Sequence, residues 1–269
     1  MLKTIQLNSR LMKFRTRIPL LVCLLSTSIC AQPVRPSVER LDADSIEKIA
    51  ALNPEYLLFR VGDSTQTKQP LLIYLHGGGG KGNDIRRIAN QVDQLSNGIQ
   101  RFRKSPCLIV APQCLRENKQ GERATWEPED LNILLAHLKA TLPIDTTRIY
   151  LTGNSMGGFG SWIWGGYNPE HFAAIAPVVG GIGRGGPKDI TPDVDKWAAN
   201  LAKVPVYAFV GALDKVVPPE RSALMVKAIR KAGGTQVQFK SYPNEGHNAR
   251  RVTYGTSEFY EWMFKKRRP

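Results

Sequence analysis

Cysteine and histidine are both scarce in this chain, at four each among 269 residues. Cys23 and Cys30 fall in an N-terminal leader, which leaves Cys107 and Cys114 at the two ends of "CLIVAPQC". That segment reads as a strand, and its extended length of about 20 Å is far beyond the span of a disulfide. No bridge is expected, so an exported form has to rely on its core, which a chain of this size can build. Zinc-ligand spacing, a G-x-x-x-x-G-K-[ST] phosphate loop and basic–aromatic interleaving are all missing, which argues against a metal site, a nucleotide loop and a nucleic-acid partner. Acidic residues are outnumbered, 23 against 37 Lys and Arg, for a net charge of +14. The excess is scattered apart from Lys265-Lys266-Arg267-Arg268 at the C-terminus, so a solvated basic surface explains it. There is no internal repeat and no low-complexity block.

What is present begins with the leader. Residues 1–31 hold Lys3, Arg10, Lys13, Arg15 and Arg17, no acidic residue, and the apolar run "IPLLVCLLSTSICA". A basic segment followed by about a dozen apolar residues reads as a signal peptide cleaved after Ala31, too short to remain as a membrane span. Its removal lowers the net charge to +9, since five positive charges leave and no negative ones. Residues 32–55 read as a Pro-containing linker and a short helix near Asp42 or Asp44. Residues 56–269 read as one catalytic domain, opening on an edge strand "YLLFRV". From "LLIYLH" onward, apolar strand-like runs alternate with helical segments, the clearest being 127–142 with Leu131, Leu134, Leu135, Leu138 and Leu142 on one stripe. Alternation of this kind predicts an α/β fold with a mostly parallel, doubly wound sheet.

In such sheets chemistry collects beyond the carboxyl ends of the strands. "RIYLTG" runs into Gly153-Asn154-Ser155-Met156-Gly157 and then a small-residue and aromatic helix, which is the strand-turn-helix setting of a nucleophile elbow. "LLIYLH" ends in His76 and four glycines, whose bare backbone N–H groups suit an oxyanion. Of the four histidines, His137 lies within a helix and His171 precedes a strand, at the wrong end of the sheet. His76 opens the glycine loop, leaving His247 in "YPNEGHNAR" as the base. Asp214, just past "VYAFVG", is the acid, with Glu245 as the fallback. Asp189, Asp193 and Asp195 read as caps or surface charges. The order Ser155, Asp214, His247 is that of an α/β-hydrolase, and the chemistry asks for no metal or organic cofactor.

The segments "YLHGGGGKGND", "APQC", "IDTTRIYLTGNSMGGFGSW", "FAAIAPVVGG", "GALDKVVPPERS" and "YPNEGH" together resemble the exported carboxylesterase branch of the α/β-hydrolases. That branch takes in phospholipase/carboxylesterase, feruloyl-esterase-like and "predicted peptidase" relatives of the dienelactone-hydrolase group. The resemblance covers about three quarters of the chain. It implies oxyanion donors at the Gly78 and Met156 N–H groups, with Trp126, and His76 and Gly79 of the glycine loop, on the substrate side. One departure stands out: such relatives often carry an aromatic residue shortly after the histidine, where this chain has Asn248-Ala249-Arg250-Arg251. The function implied is a serine carboxylic-ester hydrolase working through an acyl-enzyme on short-chain or aromatic acyl esters, including esters on polysaccharides. Two alternatives remain open: a serine peptidase of the prolyl-oligopeptidase-like type, and a non-catalytic envelope or carbohydrate-binding protein on the same scaffold. Between the strands ending near Val179 and beginning near Val204 there is room for one glycine-rich loop and one short helix, so little or no lid is expected. Arg184 and Lys188 on that loop are expected to favour uronic acids. The expected setting is the periplasm or cell exterior, as a monomer, with membrane contact only through the transient leader.

Overall fold

Apolar runs that alternate sides along an extended chain build the sheet. In this computed structural model, which describes residues 34–62, 68–103, 105–183, 186 and 188–269, eight strands form one sheet among the described residues. They are β1 (Ser37–Arg40), β2 (Leu52–Val61), β3 (Gln69–Leu75), β4 (Cys107–Cys114), β5 (Ile144–Asn154), β6 (Ala174–Val178), β7 (Val206–Gly211) and β8 (Val237–Tyr242). The spatial order is β1-β2-β4-β3-β5-β6-β7-β8. β2 pairs antiparallel with β1 and β4, and every other pairing is parallel. The helices are α1 (Ala43–Lys48), α2 (Ala89–Gly98), α3 (Pro128–Thr141), α4 (Met156–Tyr167), α5 (Val194–Leu201), α6 (Glu220–Lys231), α7 (Arg250–Thr253) and α8 (Ser257–Phe264). This mostly parallel, doubly wound sheet is the α/β-hydrolase fold expected from the sequence.

Residues alternate between two cores, one on each face of the sheet. Leu71, Ile73 and Leu75 of β3 join the core beneath α3, α4, α5 and α6, while Leu72 and Tyr74 join the one beneath α2 and α8. β3, β4, β6 and β7 are buried along their whole length, as strands covered on both faces must be. The leucine stripe of α3 buries Leu131, Leu134, Leu135 and Leu138, each worth about 2 kcal/mol. Pro128 opens that helix, and Asp130 in its first turn accepts from Ala51 N at 2.7 Å and Ala50 N at 2.9 Å. The start of β2 is thereby tied to the helix.

Two expectations need correction. The short helix expected near Asp42 is α1, and Asp42 caps it, accepting from Ser45 N at 2.8 Å, but the described residues before it are not a linker: they form β1, and β2 begins at Leu52 rather than Tyr56. Nor is "YLLFRV" an edge, because β1 covers it. The sequence concealed β1 because a four-residue outer strand needs no apolar pattern. Its side chains are largely exposed and are flanked by the ion pairs Arg40–Glu55 (3.8 Å) and Arg60–Glu39 (3.7 Å). The expected leader, 1–31, lies outside the described residues. Among the described residues no helix is long and apolar enough to cross a membrane. Between β6 and β7 the described residues hold one helix, α5, and no layer of helices over the end of β5.

Candidate active site

Ser155 follows β5 directly, at φ 55° and ψ −119°, a strained conformation for a residue with a side chain. The surroundings enforce it. Ser155 N donates to Val178 O at 3.0 Å, and α4 starts at the next residue. The turn is so tight that a Cβ on Gly157 would lie 1.8 Å from Leu75 O, and one on Gly153 would lie 2.5 Å from Gly157 O. Both glycines of the G-x-S-x-G segment are therefore required by close backbone approach. Met156 opens α4, so its N–H is among the first-turn donors that no helical carbonyl satisfies.

The other two residues arrive from the ends of β7 and β8. His247 Nε2 lies 2.8 Å from Ser155 Oγ, and His247 Nδ1 lies 2.8 Å from Asp214 Oδ2. The Asp214 side chain is 1% exposed, and its Oδ1 accepts from Val216 N at 2.9 Å and Val217 N at 3.0 Å. A buried carboxylate held by two backbone donors has its second oxygen free for the imidazole. Glu245 meets this end of β7 through its backbone, its carbonyl oxygen accepting from Leu213 N at 2.9 Å. Asp193 instead accepts from Tyr167 OH at 2.5 Å, away from the imidazole.

The remaining histidines are committed elsewhere. His137 bonds Asp42 at 2.7 Å between α3 and α1, and His171 lies 3.2 Å from Asn132 in a 3-10 turn before β6. His76 is fully buried. Its Nε2 is 3.0 Å from Cys114 N, which can only donate, so Nε2 accepts and the ring proton sits on Nδ1, donating to Gly77 O at 2.6 Å. Burial lowers its pKa to about 4. His76 is thus a neutral brace between β4 and the glycine loop, which corrects its expected place on the substrate side.

Trp126 is also corrected. It is 1% exposed, donates from Nε1 to His76 O at 3.3 Å and packs edge-on to that ring at 4.8 Å. Gly160 leaves the space for it, since a Cβ there would fall 2.8 Å from the indole. Of the glycine loop, Gly78 and Gly79 are exposed in a 3-10 turn, and Gly78 lines a cleft of about 360 Å³ with Ser155 and Met156. Gly79 is not among the residues lining it.

The strand order gives that cleft two sides. Lys81, Arg123, Ala124 and Thr125 reach it from the loops after β3 and β4, and Gly183, Gly186, Val216 and Val217 from those after β6 and β7. Phe159, one helical turn beyond Ser155, also lines the cleft. Sequence reasoning missed Phe159, although its spacing of four residues from Ser155 puts it on the same face of α4. Lys188 is not among the lining residues, and Arg184 lies outside the described residues. Cys107 and Cys114 are free and buried, with burial pushing both thiols up to about 12. Among the described residues no cluster of His, Cys, Asp or Glu is arranged to hold a metal ion.

Sheet order, elbow and the serine–histidine–aspartate contacts define an α/β-hydrolase. More narrowly, the chain belongs to the dienelactone hydrolase family, whose model matches residues 112–253, more than half of its length. A protein of Methylorubrum extorquens named carboxymethylenebutenolidase is 36% identical over 121 residues, covering 44% of this chain and 40% of that one. One from Salmonella typhimurium with the same name is 30% identical over 109 residues, covering 38% and 37%. The chain therefore spans about two fifths of the curated relatives it matches. Among solved structures, a thermostable esterase superposes with a TM-score of 0.67 at 26% identity, covering 88% of this chain and 64% of that one. A ferulic acid esterase (TM-score 0.61, 18% identity, 86% and 97% covered) shares the fold.

Proposed function

We propose that the protein is a serine carboxylic-ester hydrolase in which Ser155 is the nucleophile, His247 the base and Asp214 the residue that orients the histidine. One observation carries the reading: His247 bridges Ser155 Oγ and Asp214 Oδ2 at 2.8 Å on each side. His247 takes the serine proton as Ser155 attacks the acyl carbon. The oxyanion is received by the N–H groups of Gly78 and Met156, a type of contact worth about 3–4 kcal/mol per donor. The imidazolium protonates the leaving alcohol, and water reverses the sequence to free the acid. The names of the relatives, carboxymethylenebutenolidase and esterase, support ester or lactone cleavage.

The cleft supports short or aromatic acyl groups. Its volume of about 360 Å³ is at the small end for ligand pockets, which run from about 300 to 1,000 Å³. Each further methylene gains about 0.8 kcal/mol only where apolar surface covers it, and the described lining offers few large apolar side chains beyond Met156, Phe159, Val216 and Val217. An uncovered cleft also admits esters carried on a polysaccharide. The basic-then-apolar leader supports export, which intact-mass analysis of protein recovered from a Gram-negative periplasm tests.

The substrate reading is tested with p-nitrophenyl esters from acetate to palmitate, together with methyl ferulate and acetylated xylan. Efficiency should be highest for the short and aromatic members. Efficiency that rises toward palmitate contradicts the open cleft, and amide cleavage that outpaces ester cleavage favours the peptidase.

A further inference from the structure

The run Lys265-Lys266-Arg267-Arg268, the densest group of charge outside the leader, follows α8 and is fixed against the amino end of β5. Arg268 N donates to Thr147 O at 2.9 Å, and Arg267 Nη1 donates to Thr147 Oγ1 at 3.0 Å. Tyr150 OH donates to Lys266 O at 2.8 Å, and the Lys266 ammonium lies 3.5 Å from Gln236 Oε1, just before β8. Arg148 joins the group from β5 itself. It shares the Asp145 carboxylate with Arg267, at 2.6 Å and 3.4 Å. β5 then carries the chain from Arg148 to Asn154, so this end of the sheet lies about 20 Å from the elbow.

The topology adds charge to the same end. A helix joining two parallel strands returns to the amino end before the next strand starts. α3 thereby brings Lys139 in its last turn and α6 brings Lys231, while Lys203 lies between α5 and β7. Three carboxylates stand among these cations. Asp145 is already shared by two arginines, Glu170 lines a cleft beside Lys203 and Arg268, and Glu261 lies one turn before Lys265 on α8. The exposed large apolar side chains among the described residues, Val38, Ile190, Leu213 and Val216, lie on β1 and on the loops after β6 and β7. This end therefore offers charge without an apolar anchor.

We propose that the basic end of the sheet is a docking face for a bilayer surface rich in anionic phospholipid, met with the cleft turned away. The membrane contact expected of the leader thus extends to the folded domain. The spread of the cations favours a surface as the partner. They come from the tail, β5, α3, α6 and the start of β7, and a plane of negative headgroups meets them together, whereas a single polymer chain tracks one line. Each Lys or Arg near such a surface adds about fivefold to partitioning, and salt screens the attraction.

The test is sedimentation with vesicles of phosphatidylcholine alone or mixed with an equal part of phosphatidylglycerol. It uses the chain beginning at Gln32, so that the leader does not bind lipid itself, because Pro33–Pro269 form a compact unit of their own. Wild type is compared with Lys265→Ser/Lys266→Ser and with Lys48→Ser/Lys119→Ser. The second pair loses the same charge at the opposite end, where α1 leads into Leu52 beside Cys114 at the end of β4. Melting temperatures confirm that each variant is folded. Wild type should bind the phosphatidylglycerol vesicles at low salt, ignore phosphatidylcholine, and be released at about 1 M salt, where the screening length is about 3 Å. Lys265→Ser/Lys266→Ser should weaken partitioning by about 25-fold, and Lys48→Ser/Lys119→Ser by no more than about twofold. Equal losses in the two pairs would mean that net charge, not this face, attracts the lipid, and would overturn the inference. Binding that survives high salt would overturn it too. So would a wild-type protein that ignores the phosphatidylglycerol vesicles, whether or not it is retained on polygalacturonate, the acidic-polysaccharide alternative.

Discussion

Replacing Asp214 with Asn tests the logic of the site through a single atom. Asp214 Oδ1 accepts from Val216 N and Val217 N, so the asparagine must keep its carbonyl oxygen there. Its NH2 group then takes the place of Oδ2, 2.8 Å from His247 Nδ1. A donor in that position makes Nδ1 an acceptor and moves the ring proton to Nε2, the nitrogen facing Ser155 Oγ at 2.8 Å. The histidine then has no lone pair with which to take the serine proton. The corresponding change in trypsin-like triads costs about 10⁴ in kcat, or about 5.5 kcal/mol of barrier. The same fall is expected here, and the residual rate should exceed that of Ser155→Ala or His247→Ala. The assay is kcat on p-nitrophenyl acetate with a melting curve to confirm an intact fold. Glu245→Gln serves as the matched control and should be nearly silent. A loss below about tenfold for Asp214→Asn, or a large one for Glu245→Gln, would refute the assignment of the acid.

Two further outcomes follow from burial. His76 is held neutral with its pKa lowered to about 4, below the ordinary 6.5. The unfolded chain therefore binds the proton more readily, and stability present above pH 6.5 is lost as pH falls toward 4, by about 3 kcal/mol in full. Urea midpoints measured from pH 7 to pH 4 should show that fall, and His76→Gln, which keeps an acceptor and a donor, should flatten it. An identical slope in the variant would remove His76 as the cause. In a leaderless chain, Cys107 and Cys114, both buried with thiols raised to about 12, should be silent to a thiol reagent in the native state. Both should react in denaturant, and a denatured count of zero under non-reducing conditions would contradict the unbridged strand.

The sheet's middle was legible because its strands are continuous apolar runs separated by helices with a 3.6-residue stripe. That pattern holds before any tertiary contact is known, as in β4, β7 and α3. Ser155, Asp214 and His247 were legible for a related reason: each follows a strand that the pattern marks, and a parallel sheet brings such ends together. β1 was hidden because an outer strand of polar residues carries no period. Trp126 and His76 were misplaced because burial is not a property of the residue itself. The gap at Gly160 and the Cys114 backbone N–H take those two rings inward, and neither partner adjoins them in the chain.

Ser155 as the atom that carries the acyl group is the claim on which the rest depends. The most direct measurement is peptide mapping by mass spectrometry after incubation with a p-nitrophenyl phosphonate, beside the rate of p-nitrophenyl acetate hydrolysis. One phosphonyl group per chain should be found on the peptide containing Ser155, with release of an equal amount of nitrophenol. Ser155→Ala should take up none and lose essentially all hydrolysis, by about 10⁶ in kcat. A label on another residue, or hydrolysis that persists in Ser155→Ala, would contradict the account.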